Sequence, residues 1–200
     1  FGSKLLVSGL IDTAYRNIYL LIIGKFFSAT ELGYYTRADK FKNLPSQNIS
    51  HVIQRVSYPV LSSIQDDIPK LKEAYRRLIK STMFVTFLLM LVLAAVAKPL
   101  ILTLIGEKWL PSVIYLQLLC FAGMLYPLHA INLNMLQVQG RSDLFLKLEV
   151  IKKVLAGPVI LIGIFIGIQA MIIAMIFNSF IAYFLNSYYS GKPIGYSSLS

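Results

Sequence analysis

The chain has 200 residues, of which 56% are apolar and only 14% charged, and its mean hydropathy is +0.67. That balance excludes an ordinary soluble globular domain. The formal net charge of +10 does not point to nucleic acid, which needs a basic face on a soluble fold; here Lys and Arg fall between long apolar runs, and anionic membrane lipid is the simpler partner.

A helix crosses the hydrocarbon core with about 20 mostly apolar residues, and six segments approach that description. The expected fold is therefore all-α, a polytopic transmembrane bundle of three hairpins. The segments run Leu5 to Phe27, Asn43 to Ile64, Ser81 to Ala97, Pro111 to Val138, Val154 to Ile168 and Ala170 to Tyr188. Phe1-Gly2-Ser3 lacks an initiator Met and the basic, apolar and small-residue order of a signal peptide, so the chain reads as an internal piece of a longer protein.

In the first segment Ser8, Asp12, Tyr15, Arg16 and Tyr19 fall on one helical face. An ionisable group at mid-membrane costs about 2.5 to 3.5 kcal/mol on insertion scales, so each needs a partner or a wet cavity. Asp12 and Arg16 are spaced to pair at i and i+4. Two readings stay open: a self-neutralising structural pair, or a cavity-facing switch in which Asp12 exchanges a proton or cation.

The second segment, extended back to residue 37, gathers Arg37, Lys40, Gln47, Asn48, His51, Gln54 and Arg55 into an arc of about 120°, with Ile49, Val52, Ile53, Val56 and Val60 opposite. Leu44 falls inside the wet arc and Lys42 outside it, and Pro45 is a candidate kink. A cavity lining is favoured. A surface amphipathic helix, a soluble segment between spans and ordinary interhelical hydrogen bonding compete with it. Against the surface reading, removing this crossing would put the basic loops on opposite sides of the membrane. His51, a lone histidine in a polar arc, is a candidate proton sensor.

Residues 65–80 form a basic juxtamembrane segment, expected to be cytoplasmic, in which Lys70, Lys72, Arg76, Arg77 and Lys80 accompany Leu71, Tyr75, Leu78 and Ile79 at helical spacing, as in a surface helix running into the third crossing. Asp66-Asp67 before it suits a helix cap or turn. Ser81 to Ala97 carries no charge, and Trp109-Leu110-Pro111 opens the fourth segment with an interfacial Trp and a Pro suited to a first turn. There His129, Asn132 and Gln139 share a face and lack the carboxylate or thiol company of a metal site. Their role is hydrogen bonding, across helices or to a sugar hydroxyl. Cys120 is the one cysteine, so it forms no internal disulfide and is expected only to pack. Gly163 and Gly167 make a small-xxx-small pair that would let another helix approach.

Lys and Arg fix an orientation. One side of the six crossings carries Lys4, the five basic residues of 65–80, then Arg141, Lys147, Lys152, Lys153 and Lys192; the other carries Lys25, Lys98 and Lys108. Positive charge favours the cytoplasm, so both ends should be cytoplasmic. No phosphate-binding Gly-rich loop, paired catalytic carboxylates or nucleophile elbow is visible, which argues against an enzyme and against a cofactor.

The stretch Glu31-Leu32-Gly33-Tyr34-Tyr35-Thr36-Arg37-Ala38-Asp39, followed by Asn43-Leu44-Pro45, Arg55-Val56-Ser57-Tyr58-Pro59-Val60-Leu61-Ser62, Gln65-Asp66-Asp67, Gly106-Glu107-Lys108-Trp109 and Gln139-Gly140-Arg141-Ser142-Asp143, resembles the bacterial lipopolysaccharide and exopolysaccharide (Wzx-type) flippases. These belong to the multidrug, oligosaccharidyl-lipid and polysaccharide exporter superfamily. The resemblance implies a carrier of two helical lobes in the bacterial inner membrane, moving an undecaprenyl-diphosphate-linked oligosaccharide by alternating access. This chain would open the second lobe and would not transport alone. The same resemblance implies polysaccharide polymerase machinery as a partner.

A diphosphate must be desolvated while its prenyl tail stays in lipid, and cationic side chains offset that cost. The cationic candidates are Arg16, Arg37, Lys40 and Arg55; the sugar-contact candidates are Asn48, Gln54 and Asn132; the ion-coupling candidates are Asp12 and His51. Two other readings compete with the flippase. One is a cation-coupled small-molecule exporter of the same superfamily, for which an acidic or aromatic cavity is expected. The other is a membrane scaffold or intramembrane glycosyltransferase subunit, in which the arc serves only assembly.

Overall fold

The computed structural model describes residues 18–195, and these form helices joined by short turns, with no strand among them. The segment 18–26 is helical (α1). Ser28 then starts a new helix through a capping box: Glu31 N donates to Ser28 Oγ at 3.1 Å, and Ser28 N donates to the Glu31 carboxylate at 3.3 Å. This cap explains why the second helix, α2 (Ala29–Ser63), begins well before the expected Asn43. It runs unbroken past Pro45 and Pro59 for 35 residues, about 52 Å of rise. That exceeds the thickness of a bilayer core, about 30 Å.

Asp67 caps α3 (Ile68–Ala95) by accepting from Lys70 N at 3.1 Å, with Pro69 in the first turn. The basic run thus continues as one helix into the apolar span, as the spacing of Leu71, Tyr75, Leu78 and Ile79 predicts. After α4 (Ala97–Ile105) and a single turn at Glu107–Trp109, the fourth segment divides into α5 (Ser112–Gly123) and α6 (Tyr126–Val138). Pro127 sits in the first turn of α6, where its missing N–H costs nothing. α7 (Ser142–Ile166) starts earlier than expected and carries Lys147, Lys152 and Lys153 in helix; α8 (Ile168–Gly191) follows after one residue. That residue is Gly167, whose φ of 125° is rarely open to residues with a Cβ. Gly167 is therefore a turn, and Gly163 alone makes the close approach expected of the pair.

Three of these stretches are long and apolar enough to cross a membrane: Ile68–Ala95, Ser112–Val138 and Ile168–Gly191. They are not equivalent. Within its most apolar window the middle one is 67% buried, against 28% for α3 and 22% for α8. α5 and α6 therefore form the axis of the bundle, contacted by α2, α3 and α8. Phe84, Leu88, Leu91 and Val92 of α3, Phe165 and Ile166 of α7, and Phe177 and Phe184 of α8 stand exposed. Exposed apolar surface on this scale suits hydrocarbon, not water. The chain is thus an all-α membrane helix bundle with several apolar spans.

Candidate functional site

The polar arc on α2 opens onto a cavity of about 530 Å³, lined by Arg37, Lys40, Phe41, Asn43, Leu44, Gln47, Asn48, His51 and Ile105. No acidic side chain is among these lining residues. Its upper edge is organised by Trp109, whose ring lies 5.1 Å from the Arg37 guanidinium carbon and meets Tyr34 edge-on at 5.9 Å. The indole also lies against Gly33, where a Cβ would stand in ordinary van der Waals contact with it at 3.5 Å. A guanidinium stacked on indole keeps its charge while losing freedom, which pre-orients it toward an anion.

Of the expected site residues, Arg37, Lys40, Asn48 and His51 are brought together here. Leu44 also lines the cavity, as its place in the arc requires. Arg55 and Gln54 are exposed on the next turns of α2 but outside the lining. The backbone carbonyl of Gln54 accepts from Asn134 Nδ2 at 3.4 Å. Asp12 and Arg16 lie outside the described residues.

Asn132 takes a different place from the expected sugar contact. It is fully buried, and its Oδ1 accepts from Tyr75 Oη at 2.5 Å, while the same hydroxyl lies 2.8 Å from Ser190 Oγ. Gln139 Nε2 donates to the Ser190 carbonyl at 3.1 Å, and Asn186 Nδ2 lies 3.1 Å from His129 Nδ1. The shared face of His129, Asn132 and Gln139 is thus real, but it faces α3 and α8 rather than the cavity. This is the interhelical alternative.

Asp39 and Lys42 were not singled out from the sequence. Lys42 Nζ donates to Asp39 Oδ1 at 2.6 Å, and Asn43 Nδ2 donates to Asp39 Oδ2 at 2.8 Å. The Lys42 side chain is only 4% exposed; its ammonium lies 5.1 Å from the Tyr126 ring centroid. Its stem packs where Gly123 leaves room, a Cβ there falling 3.0 Å from Lys42 Cδ. The cationic cavity wall and the buried ion pair are joined through Asn43, which belongs to both. The available signal was Lys42's place outside the wet arc, with a carboxylate three residues before it.

Residues 1–114 match a protein family described as polysaccharide biosynthesis protein. The chain is 31% identical over 144 residues to the teichuronic acid biosynthesis protein TuaB of Bacillus subtilis (strain 168), covering 72% of the chain and 30% of the relative. It is 28% identical over 190 residues to the lipopolysaccharide biosynthesis protein WzxC of Escherichia coli (strain K12), covering 92% of the chain and 39% of the relative. An uncharacterized membrane protein in the cps region of Klebsiella pneumoniae is 27% identical over 192 residues, with the same two coverages of 92% and 39%. The chain therefore spans between 30% and 39% of the length of these curated relatives. No solved structure matches.

Proposed function

The chain belongs to the polysaccharide biosynthesis protein family, and on that premise we propose that it is one wall of a flippase for an undecaprenyl-diphosphate-linked oligosaccharide. The observation that carries this reading is the cavity on α2, where Arg37, Lys40 and His51 meet along a helix long enough to pass through a membrane. A diphosphate is a dense anion that guanidinium and ammonium groups can take over from water. Asn43, Gln47 and Asn48 on the same wall suit sugar hydroxyls.

The substrate in this reading crosses without any covalent bond being made or broken, and the missing length of the relatives supplies the opposite wall. Positive charge at Lys70, Lys72, Arg76, Arg77 and Lys80 orients that end of α3 to the cytoplasm of the inner membrane, against anionic lipid. The lining residues described carry no carboxylate, so a cation-selective exporter is the weaker reading.

The test is made in the full-length parent. Arg37 and Lys40 are replaced by Ala, singly and together, with membrane abundance checked, and arrival of lipid-linked oligosaccharide in the outer leaflet is measured. Each single change is expected to slow arrival and the pair to stop it. Arrival at the normal rate with both replaced would sink the proposal.

A further inference from the structure

Of the two lysines of α2, Lys40 lines the cavity and Lys42 does not. Lys42 shares the buried face of the helix with Tyr35, Ala38 and Ser46. An ammonium loses most of its hydration there, and a well-packed apolar side chain would fill the same space without that cost. The charge at Lys42 therefore calls for a use other than packing.

Asp39 supplies one. At about 100° per residue it falls between Lys42 and Asn43, that is, between the core face of α2 and its wet arc. One carboxylate oxygen accepts from Lys42 Nζ at 2.6 Å on the core side, and the other accepts from Asn43 Nδ2 at 2.8 Å on the cavity side. The Asp39 side chain is 28% exposed. An acidic group thus stands at the edge of a wall whose lining carries Arg37 and Lys40 and no carboxylate. Without a partner it would offset one of those two full charges. Lys42 replaces the lost charge from the core, where the space left by Gly123 and the Tyr126 ring hold it.

We propose that Lys42 is a specificity-determining residue: it cancels Asp39 and thereby makes the cavity selective for dense anions, without touching the ligand. The proposal rests on the flippase reading and adds to it the residue that sets the sign of the site. A buried counter-charge suits this task. Its field reaches Asp39 through a medium of low dielectric and is screened by salt less than that of an exposed cation. Because its ammonium is held inside the bundle, Lys42 leaves the cavity free for the ligand and its sugars.

The experiment uses the full-length parent in lipid nanodiscs at pH 8, where a partly exposed carboxyl group is ionised. Calorimetric titration with inorganic pyrophosphate and with orthophosphate reads the site without any lipid. A unit charge acting over about 10 Å at an effective dielectric of about 20 changes affinity on the order of tenfold. Lys42→Met is therefore expected to weaken pyrophosphate about tenfold and orthophosphate less, because the repulsion from Asp39 scales with the charge of the probe. Lys42→Arg should restore binding, and so should Asp39→Asn combined with Lys42→Met. Asp39→Asn alone should bind pyrophosphate more tightly than wild type, although it strands the buried ammonium and lowers the unfolding temperature. Stability and affinity then move in opposite directions, which a merely structural pair does not produce.

Equal loss of both probes in Lys42→Met overturns the proposal, because misfolding and not charge would then be the cause. Weaker binding by folded Asp39→Asn overturns it too. Where Asp39→Asn yields no folded protein, the comparison of the two probes on Lys42→Met decides alone. Wild-type affinity in Lys42→Met together with a loss in Arg37→Ala removes the role of Lys42 and leaves the flippase reading standing. Failure of the wild type to bind pyrophosphate removes both.

Discussion

The Lys42 ammonium sits 2.6 Å from the Asp39 carboxylate, on the same turns of α2 as the cavity-lining Arg37, Lys40, Phe41 and Asn43. A buried pair of this kind adds little net stability, but breaking it strands a charge and costs about 3 to 5 kcal/mol. Asp39→Ala is therefore expected to be severely destabilising, and Lys42→Ala less so, because Asp39 keeps the Asn43 amide and is partly exposed. Replacing both, as Asp39→Asn with Lys42→Met, should recover most of the loss, since Met refills the space along Gly123. Thermal unfolding in detergent checks the series; a double variant as unstable as Asp39→Ala would show that the pair is not the cause.

Trp109 serves the cavity without lining it. Its ring holds Arg37 from behind, and a partly exposed cation–π contact is worth about 0.5 to 1 kcal/mol. Trp109→Ala should weaken binding of a tail-less sugar diphosphate by a factor of a few, and Trp109→Phe should restore part of it. Arg37→Lys should not restore full affinity, because an ammonium neither stacks on the indole nor donates in a planar fork. Calorimetric titration of the full-length parent separates these outcomes; equal affinity of Trp109→Ala and wild type would mean that the indole does not orient Arg37.

The sequence was most informative where a single helix face decided the outcome. Arg37, Lys40, Asn48 and His51 could be grouped because they lie on one continuous helix, whose periodicity survives Pro45 and Pro59. The helical spacing of Leu71, Tyr75, Leu78 and Ile79 already runs the basic segment into the third crossing, and the Asp67 cap starts one helix that passes through Ser81. The partner of Asn132 could not be read, since Tyr75 lies 57 residues away, and Ser190, which meets the same Tyr75 hydroxyl, lies 115 residues from Tyr75, so that only tertiary packing brings the three together. Asp39 and Lys42 were legible as an i and i+3 pair. Their burial was not, because it depends on Gly123 and Tyr126 of helices packed from elsewhere.

Asp67 gives a pH dependence whose sign can be worked out. A hydrogen bond from the Lys70 side chain, with a second from the Lys70 backbone N–H, lowers its pKa below the ordinary carboxylate value. A carboxyl group with a depressed folded-state pKa adds stability that is present above the unfolded value of about 3.9 and is lost as pH falls through the folded value. The unfolding temperature of wild type should therefore exceed that of Asp67→Ala by a constant margin from neutral pH down to about pH 5, and the margin should close in stronger acid. Asp67→Asn keeps a capping oxygen without the charge, so its difference from Asp67→Ala should not vary with pH. A margin for wild type that widened on acidification would contradict the assignment.

Gly163 fixes how closely α7 and α8 can run. A Cβ at this position would fall 2.7 Å from Met171 Sδ and 3.0 Å from Met171 Cβ, so the flexible end of the methionine cannot relieve the whole overlap. Gly163→Ala must then push the two helices apart at the end joined by the single residue Gly167, where neither helix has slack to give. Overpacking of this kind costs about 1 to 3 kcal/mol. The gain in helix propensity from Ala, about 1 kcal/mol, offsets only part of it. Met171→Ala alone removes a fully buried side chain and should also destabilise. Because the two positions touch, their effects should not add: Gly163→Ala with Met171→Ala should be more stable than the sum of the single losses predicts, as the new methyl occupies space the methionine has left. A double-mutant cycle on unfolding free energy measures that coupling, and strict additivity would show that the α7 and α8 contact is looser than the 2.7 Å approach implies.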